Sequence, residues 1–254
     1  MSSENLASPS AGVPDTGLRP RPRRRRGFWP LVRDVLVIIV VAVLVSFVIK
    51  TFFVRSFYIP SGSMEQTLLV KDRILVDEIT PRFSGYERGD VVVFRDPGGW
   101  LPVSPKVDRA PVAEAFDWLL SLVGLTSPDS DEHLIKRIIG VGGDHVVCCN
   151  ALGQVTVNGT PIDETAYLNL PDGRSAPEPV PYDVTVPEGS LWVLGDNRDR
   201  SQDSRYHTEQ PSQGFVPLEN VVGRAFLITW PLNRFGPIDF HHDVFAGVPE
   251  GTAP

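Results

Sequence analysis

The chain of 254 residues is 42% hydrophobic, which is enough for one sizeable domain or for one domain with a small insertion. Its net charge of −7 is unevenly spread: residues 1–34 hold seven arginines against three acidic residues, a net +4, so residues 35–254 carry −11. An acidic body of this kind argues against nucleic-acid binding.

The chain begins with a polar tail followed by an apolar run. Residues 1–34 are rich in Ser, Pro and Arg and are predicted to be disordered. Residues 35–54 are mostly Val, Ile, Leu and Phe, long enough for one helix to cross a bilayer. The arginines at 23–26 favour a cytoplasmic N-terminus, and a cleavable signal peptide is disfavoured because no A-x-A-like site follows the run. The sequence therefore predicts an uncleaved single-pass anchor in the cell membrane, with the body extracytoplasmic.

The next segment, residues 57–64, reads FYIPSGSM. Pro60 fixes its own backbone angle and Gly62 permits a tight turn, so Ser63 is predicted to stand on a rigid bend. A polar surface loop is the plainer interpretation, but large apolar residues flank the segment on both sides and favour burial. We therefore interpret Ser63 as a candidate nucleophile, with the apolar flanks as the walls of a cleft.

The body is predicted to be mainly β. Apolar, β-branched runs predict strands at residues 73–78, 90–94, 134–139, 191–194 and 221–230, and Asn158-Gly159 predicts a hairpin turn. A catalytic β domain is expected over 55–144 and 191–244, a small β insertion over 145–190, and a disordered tail over 245–254. An insertion at 95–133 interrupts the first part, and helical spacing predicts a short amphipathic helix over 112–123 within it.

A serine hydroxyl needs a base to become a nucleophile, so the sequence must supply one. The five histidines are poor candidates, and no G-x-S-x-G motif surrounds Ser63, although a Ser/His/Asp arrangement stays open because triad order varies between folds. Lys136 is more promising, a lone ammonium among Leu134, Ile135, Ile138 and Ile139. Such a lysine commonly reaches out to solvent, but burial beside Ser63 would favour the neutral amine that a base requires.

A polar loop at residues 195–205, GDNRDRSQDSR, comes late in the chain. Its spacing matches a calcium loop only weakly, and alternating Asp and Arg favour a self-paired loop that braces a site, with Ser201 free to orient an amine. Cys148 and Cys149 are interpreted as two independent small apolar residues in preference to a strained vicinal disulfide, because successive side chains of a strand point to opposite faces. No spacing suggests a metal, and no cofactor is predicted.

Four segments together resemble the type I signal peptidases, membrane-anchored Ser/Lys proteases. They are residues 57–64 with Thr67-Leu68, residues 89–94 (GDVVVF), residues 135–140 (IKRIIG) with Gly143-Asp144, and residues 195–199 (GDNRD) with Ser201, Asp203, Ser204 and Arg205. The resemblance implies antiparallel β-sheet regions with a reduced second region. It also implies that the substrates are exported preproteins, cut after small residues in an A-x-A pattern close to the lipid bilayer.

The resemblance also implies roles for individual residues. Ser63 would be the nucleophile and Lys136 its base, with the Ser61 hydroxyl and the Ser63 backbone N–H as oxyanion donors and Ser201 holding the amine. Structural support would come from Asp196, Asn197, Arg198, Asp203 and Arg205. The substrate-binding walls would be Phe57, Ile59, Met64, Leu68, Val93, Leu134 and Ile135.

The chain departs from the family pattern at three turns. Gln66 and Gly142 stand where proline is usual, and Lys71 stands where glycine is usual. These changes affect turn stiffness and leave the reactive groups intact. Two other functions fit part of this pattern. One is a self-cleaving Ser/Lys protein of the repressor type, disfavoured because no helix-turn-helix precedes Ser63, and the other is a membrane-tethered β domain that binds exported chains without cutting them.

Overall fold

The computed structural model describes residues 28–52, 54–101, 133–170, 174, 177 and 179–251. Its first element is helix α1 (Phe28–Phe52), of 25 residues. Within the described residues, no helix has both the length and the apolar character needed to cross a membrane. The helix starts before the predicted boundary at residue 35, and Val54, predicted to end it, instead begins a strand. The prediction of a disordered tail over 1–34 is therefore wrong for residues 28–34, which belong to α1, whereas residues 1–27 and the predicted helix over 112–123 lie outside the described residues.

The described part of the body is built of short strands and one short helix, α2 (Thr80–Ser84). The strands are β1 (Val54–Tyr58), β2 (Arg73–Asp77), β3 (Val91–Arg95), β4 (His133–Val141), β5 (His145–Cys148), β6 (Thr156–Val157), β7 (Thr160–Pro161), β8 (Tyr182–Thr185), β9 (Ser190–Leu194), β10 (Val216–Pro217), β11 (Val221–Trp230) and β12 (Gly236–Pro237). All five predicted strand runs are confirmed to within two residues.

These strands form two antiparallel sheets. The larger has the order β1-β2-β11-β3-β4-β9-β10, with β12 paired to β11, and the smaller has the order β7-β6-β5-β8. Every described strand pairing is antiparallel, so the predicted fold class, a mainly β antiparallel domain, is confirmed. In the large sheet β4 runs between β3 and β9, which puts its central residues at the middle of the sheet.

The small sheet contains the predicted hairpin turn and one error of prediction. Asn158 and Gly159 join β6 to β7 with backbone φ angles of 51° and 78°, as a type I′ turn requires. Cys148 and Cys149, predicted to be independent, are joined in a disulfide. The prediction assumed that the strand continued through both residues, but β5 ends at Cys148, so the alternation of side chains between faces does not extend to Cys149.

The C-terminal segment was wrongly predicted to be a disordered tail from residue 245. Phe245 ends a 3₁₀ turn and is buried in the core beside the small sheet, where Val248 also packs. Arg88 donates hydrogen bonds to the carbonyl oxygens of Val248 (3.5 Å) and Pro249 (3.0 Å). The segment is therefore held by one buried aromatic ring and by backbone contacts, neither of which produces periodicity in the sequence.

Candidate active site

Ser63 lies in the turn that connects β1 to β2. Backbone hydrogen bonds from Ile59 to Asp72 (2.9 Å) and from Lys71 to Ile59 (2.9 Å) close the base of this connection. The Ser63 carbonyl accepts a 3.0 Å hydrogen bond from the backbone N–H of Asn197, so the turn is also fastened to the loop after β9. Ser63 itself is only 6% exposed. The serine therefore stands on a turn that is held from two sides.

Lys136 lies in the middle of β4, paired with Val92 of β3. Its amine nitrogen Nζ is 3.0 Å from Ser63 Oγ and donates a 2.9 Å hydrogen bond to the carbonyl of Ile135. The side chain is 4% exposed, and this burial lowers its pKa from the ordinary 10.5 to about 8, against the opposing charges of Asp203 and Asp196. The predicted desolvated amine beside the serine is therefore present, at hydrogen-bond distance.

The two other serines predicted for the site differ in their positions. Ser61 Oγ lies 3.5 Å from Ser63 Oγ, at the limit of a hydrogen bond. The predicted hydrogen bond from Ser201 to the lysine amine is not formed: Ser201 Oγ is buried and has no hydrogen-bond partner in the structure. Ser201 packs against Gly195 so closely that a Cβ atom on Gly195 would overlap it. Packing, and not the amine, therefore fixes the Ser201 side chain.

The loop at residues 195–205 was predicted to be self-paired, and this is only partly right. Asp203 and Arg205 do pair with each other, through Arg205 Nε (2.8 Å) and Nη2 (2.9 Å), and Asp203 also accepts the backbone N–H of Gly195. Asp196 and Arg198, in contrast, pair with residues far away in the sequence. The loop contains the 3₁₀ turn Arg198–Arg200, so it is not an extended strand on which every second side chain would lie on one face.

Sequence reasoning missed the distant partners of this loop. Arg137 donates two 2.9 Å hydrogen bonds to the Asp196 carboxylate, and Thr67, four residues after Ser63, donates a 2.5 Å bond to it. Arg198 pairs with the buried carboxylate of Glu164 in the region of the small sheet. Arg137 could have been recognised from the sequence, because it is a second charged residue inside an apolar strand. No sequence pattern marks Glu164.

The predicted wall residues come together in the core. Six of them lie in one cluster with β2 and β11 residues and are at most 8% exposed: Phe57, Ile59, Met64, Leu68, Val93 and Ile135. The seventh, Leu134, packs against a different cluster, which contains Val92, Phe94 and Trp100. The strand alternation explains this split, because Leu134 and Ile135 point to opposite faces of β4.

The histidines do not supply the base. The described hydrogen bonds of Ser63 Oγ go to Ser61 and Lys136. His145 pairs with Asp183, His242 with Asp90, and His207 stacks on Trp100 at a ring distance of 4.4 Å. In the described part of the chain, no three His, Cys, Asp or Glu side chains gather as metal ligands would.

A serine hydroxyl that meets a desolvated lysine amine at the middle of an antiparallel sheet defines a class of enzyme, the serine endopeptidases with a Ser/Lys pair. Comparison with known proteins narrows the class. A family model described as signal peptidase, peptidase S26, matches residues 32–230, and the chain belongs to this family. The fold, the site and the family together make it a signal peptidase.

Curated relatives agree with this assignment. The chain is 37% identical over 260 residues to a probable signal peptidase I of Mycobacterium leprae, covering 93% of this chain and 86% of the relative. It is 40% identical over 238 residues to signal peptidase I of Mycobacterium tuberculosis, covering 86% and 78% respectively. A crystal structure of a signal peptidase I from Enterococcus faecalis aligns with a TM-score of 0.33 and 25% identity, over 55% of this chain and 95% of that one.

Proposed function

We propose that Ser63 is the nucleophile and Lys136 the general base with which this signal peptidase cleaves exported preproteins. The observation that carries the proposal is the 3.0 Å separation of Lys136 Nζ from Ser63 Oγ, with both side chains almost fully buried. A neutral amine at this distance accepts the hydroxyl proton as Oγ attacks the scissile carbonyl carbon. The ammonium then protonates the leaving amine, and water, activated in the same way, hydrolyses the acyl-enzyme.

The negative charge that develops on the substrate carbonyl oxygen also needs donors. We assign this role to the Ser61 hydroxyl and to the Ser63 backbone N–H, and the 3.5 Å distance between the two serine oxygens supports the assignment of Ser61. Loss of one such donor typically lowers the rate by about 10²–10³. The apolar residues beside Ser63, such as Met64, belong to one buried cluster, and apolar surroundings of this kind support recognition of small apolar side chains such as those of an A-x-A pattern.

Attachment to the membrane is a further part of the proposal. The apolar sequence over residues 35–54 and the arginines before it support an anchor with its N-terminus in the cytoplasm and the site outside, beside the lipid. Alkaline extraction of membranes from cells that express the full chain decides the point, since only an integral anchor keeps the protein in the pellet.

The test of the catalytic pair uses an A-x-A-bearing preprotein and the purified full chain in detergent. Ser63→Ala and Lys136→Met are each expected to abolish cleavage. The matched controls, Ser84→Ala and Lys71→Met, change the same residue types at exposed positions and are expected to cleave normally. Turnover that survives in either Ser63→Ala or Lys136→Met rejects the pair.

A further inference from the structure

The Lys136 amine is surrounded by buried charges, none of which is its direct partner. Asp203 and Asp196 favour its protonated form, whereas Arg205 opposes it, and His207 lies near enough to interact with it. The described hydrogen bonds of Nζ go to Ser63 and to the Ile135 carbonyl, so no carboxylate touches the amine. Burial is the largest influence on the pKa of Lys136, and these charges modify that pKa through space without touching the amine.

Each of the two carboxylates is engaged by an arginine of its own. Arg205 holds both oxygens of Asp203 through Nε and Nη2, at 2.8 and 2.9 Å, while Arg137 holds both oxygens of Asp196 at 2.9 Å. The arginine side chains are at most 4% exposed and the carboxylates are fully buried. Solvent therefore screens the interactions of these charges with the amine only weakly. A bare carboxylate at either position would stabilise an ammonium on Lys136.

We propose that Arg205 acts on Lys136 through Asp203: by binding both oxygens of this carboxylate and offsetting part of its charge, it weakens the hold of Asp203 on a proton at the catalytic amine. The inference rests on the proposed role of Lys136 as the base. It gives the Asp203–Arg205 pair an electrostatic function in addition to bracing the loop. Arg205 is suited to this because its guanidinium stays charged at every pH at which the enzyme works.

The first test is the pH dependence of kcat/KM in variants of the pair. In Arg205→Met the bare Asp203 carboxylate raises the midpoint of the activity profile by about one pH unit, which lowers the rate at pH 7 about tenfold. Asp203→Asn leaves the arginine charge unbalanced and lowers the midpoint. The double variant, which carries Arg205→Met and Asp203→Asn, removes both charges and returns the midpoint to within a few tenths of a pH unit of the wild-type value.

The matched control is the neighbouring Arg198–Glu164 pair, equally buried and attached to the same loop but not among the groups that act on the amine. Glu164→Gln is expected to leave the midpoint unchanged. A purely structural role for Arg205 predicts something different: rates that fall at all pH values, a fixed midpoint, and no recovery in the double variant. That result overturns the proposal.

A second measurement does not depend on turnover. The Lys136 amine is titrated by NMR in full-length, lysine-labelled protein that carries Ser63→Ala, with and without the two substitutions. An asparagine at position 203 has the same shape as the aspartate and can still accept the hydrogen bond from the Gly195 N–H. Asp203→Asn therefore tests the inference even if Arg205→Met fails to fold. An amine midpoint that does not fall in Asp203→Asn refutes the inference. A different outcome would refute the role of Lys136 as the base. In that outcome the Lys136 amine responds to the substitutions as expected, but the wild-type protein cleaves no preprotein.

Discussion

The pH profile of cleavage is the most direct prediction from the site. Burial lowers the pKa of Lys136 from 10.5 to about 8, and the base must be neutral, so activity rises with pH and levels off above about 8. At pH 7 about one molecule in ten then has a neutral amine, compared with about one in 3,000 for an ordinary lysine. Burial thus increases the active fraction about 300-fold, equivalent to about 3 kcal/mol.

The assay measures kcat/KM for an A-x-A-bearing preprotein between about pH 6 and 11, with stability of the enzyme checked at each pH. A single ascending limb with a midpoint near 8 is expected. A midpoint near 6.5 would indicate a histidine base, and one near 10.5 would indicate a solvated lysine. Either result refutes the reasoning that burial of Lys136 creates the base.

Three further predictions concern stability and packing. Lys136→Met is expected to raise stability at pH 7 by about 2 kcal/mol, or about 6 °C in Tm, because it removes a buried ammonium at the cost of two hydrogen bonds. Lys71→Gly is expected to add about 1 kcal/mol, because Lys71 has a φ of 77° that glycine adopts without strain. Gly195→Ala is expected to lower kcat/KM more than about 100-fold, because the new Cβ would lie 2.5 Å from the Ser63 carbonyl oxygen. At Gly236 no atom lies within 4 Å of a new Cβ, so Gly236→Ala is expected to be neutral.

Thermal melting and kinetics check these outcomes. The sign for Lys136 follows from linkage: its folded pKa lies below the unfolded value, so the penalty is full below pH 8 and disappears between pH 8 and 10.5. The advantage of Lys136→Met should therefore vanish near pH 10.5, and an advantage independent of pH would contradict the explanation. Unchanged stability in Lys71→Gly would contradict the strain attributed to the φ angle of Lys71. Normal activity in Gly195→Ala would contradict the close approach of Gly195 to the Ser63 carbonyl oxygen.

The parts of this protein that could be predicted from sequence are those that leave a local pattern. The strand β11 (Val221–Trp230) shows a continuous apolar, β-branched run, and its bounds were predicted without error. Lys136 was recognisable because a charge inside such a run needs an explanation. The C-terminal segment was missed because one buried ring, Phe245, and contacts with Arg88 hold it, and neither depends on a repeated spacing.

The electrostatic partners of the site were unpredictable for a different reason. Asp196 pairs with Arg137 across 59 residues of sequence, and Arg198 pairs with Glu164 across 34. Within the loop at residues 195–205, alternating charges are equally compatible with internal pairing, and only the fold decides which carboxylate reaches which arginine. Sequence therefore located the loop but could not assign its ion pairs.

The buried ion pairs also explain why the base is a lysine. Burying an arginine–carboxylate pair gives little net stability, because desolvation offsets most of the attraction, so these pairs are better understood through what they do to the site. Each pair is neutral by itself, and among the described groups of the site Lys136 has no carboxylate in contact to balance its charge. A guanidinium could not relieve that imbalance, since arginine does not deprotonate in proteins, whereas an amine relieves it by losing a proton. The same burial that makes an ammonium costly at this position therefore produces the base that Ser63 requires.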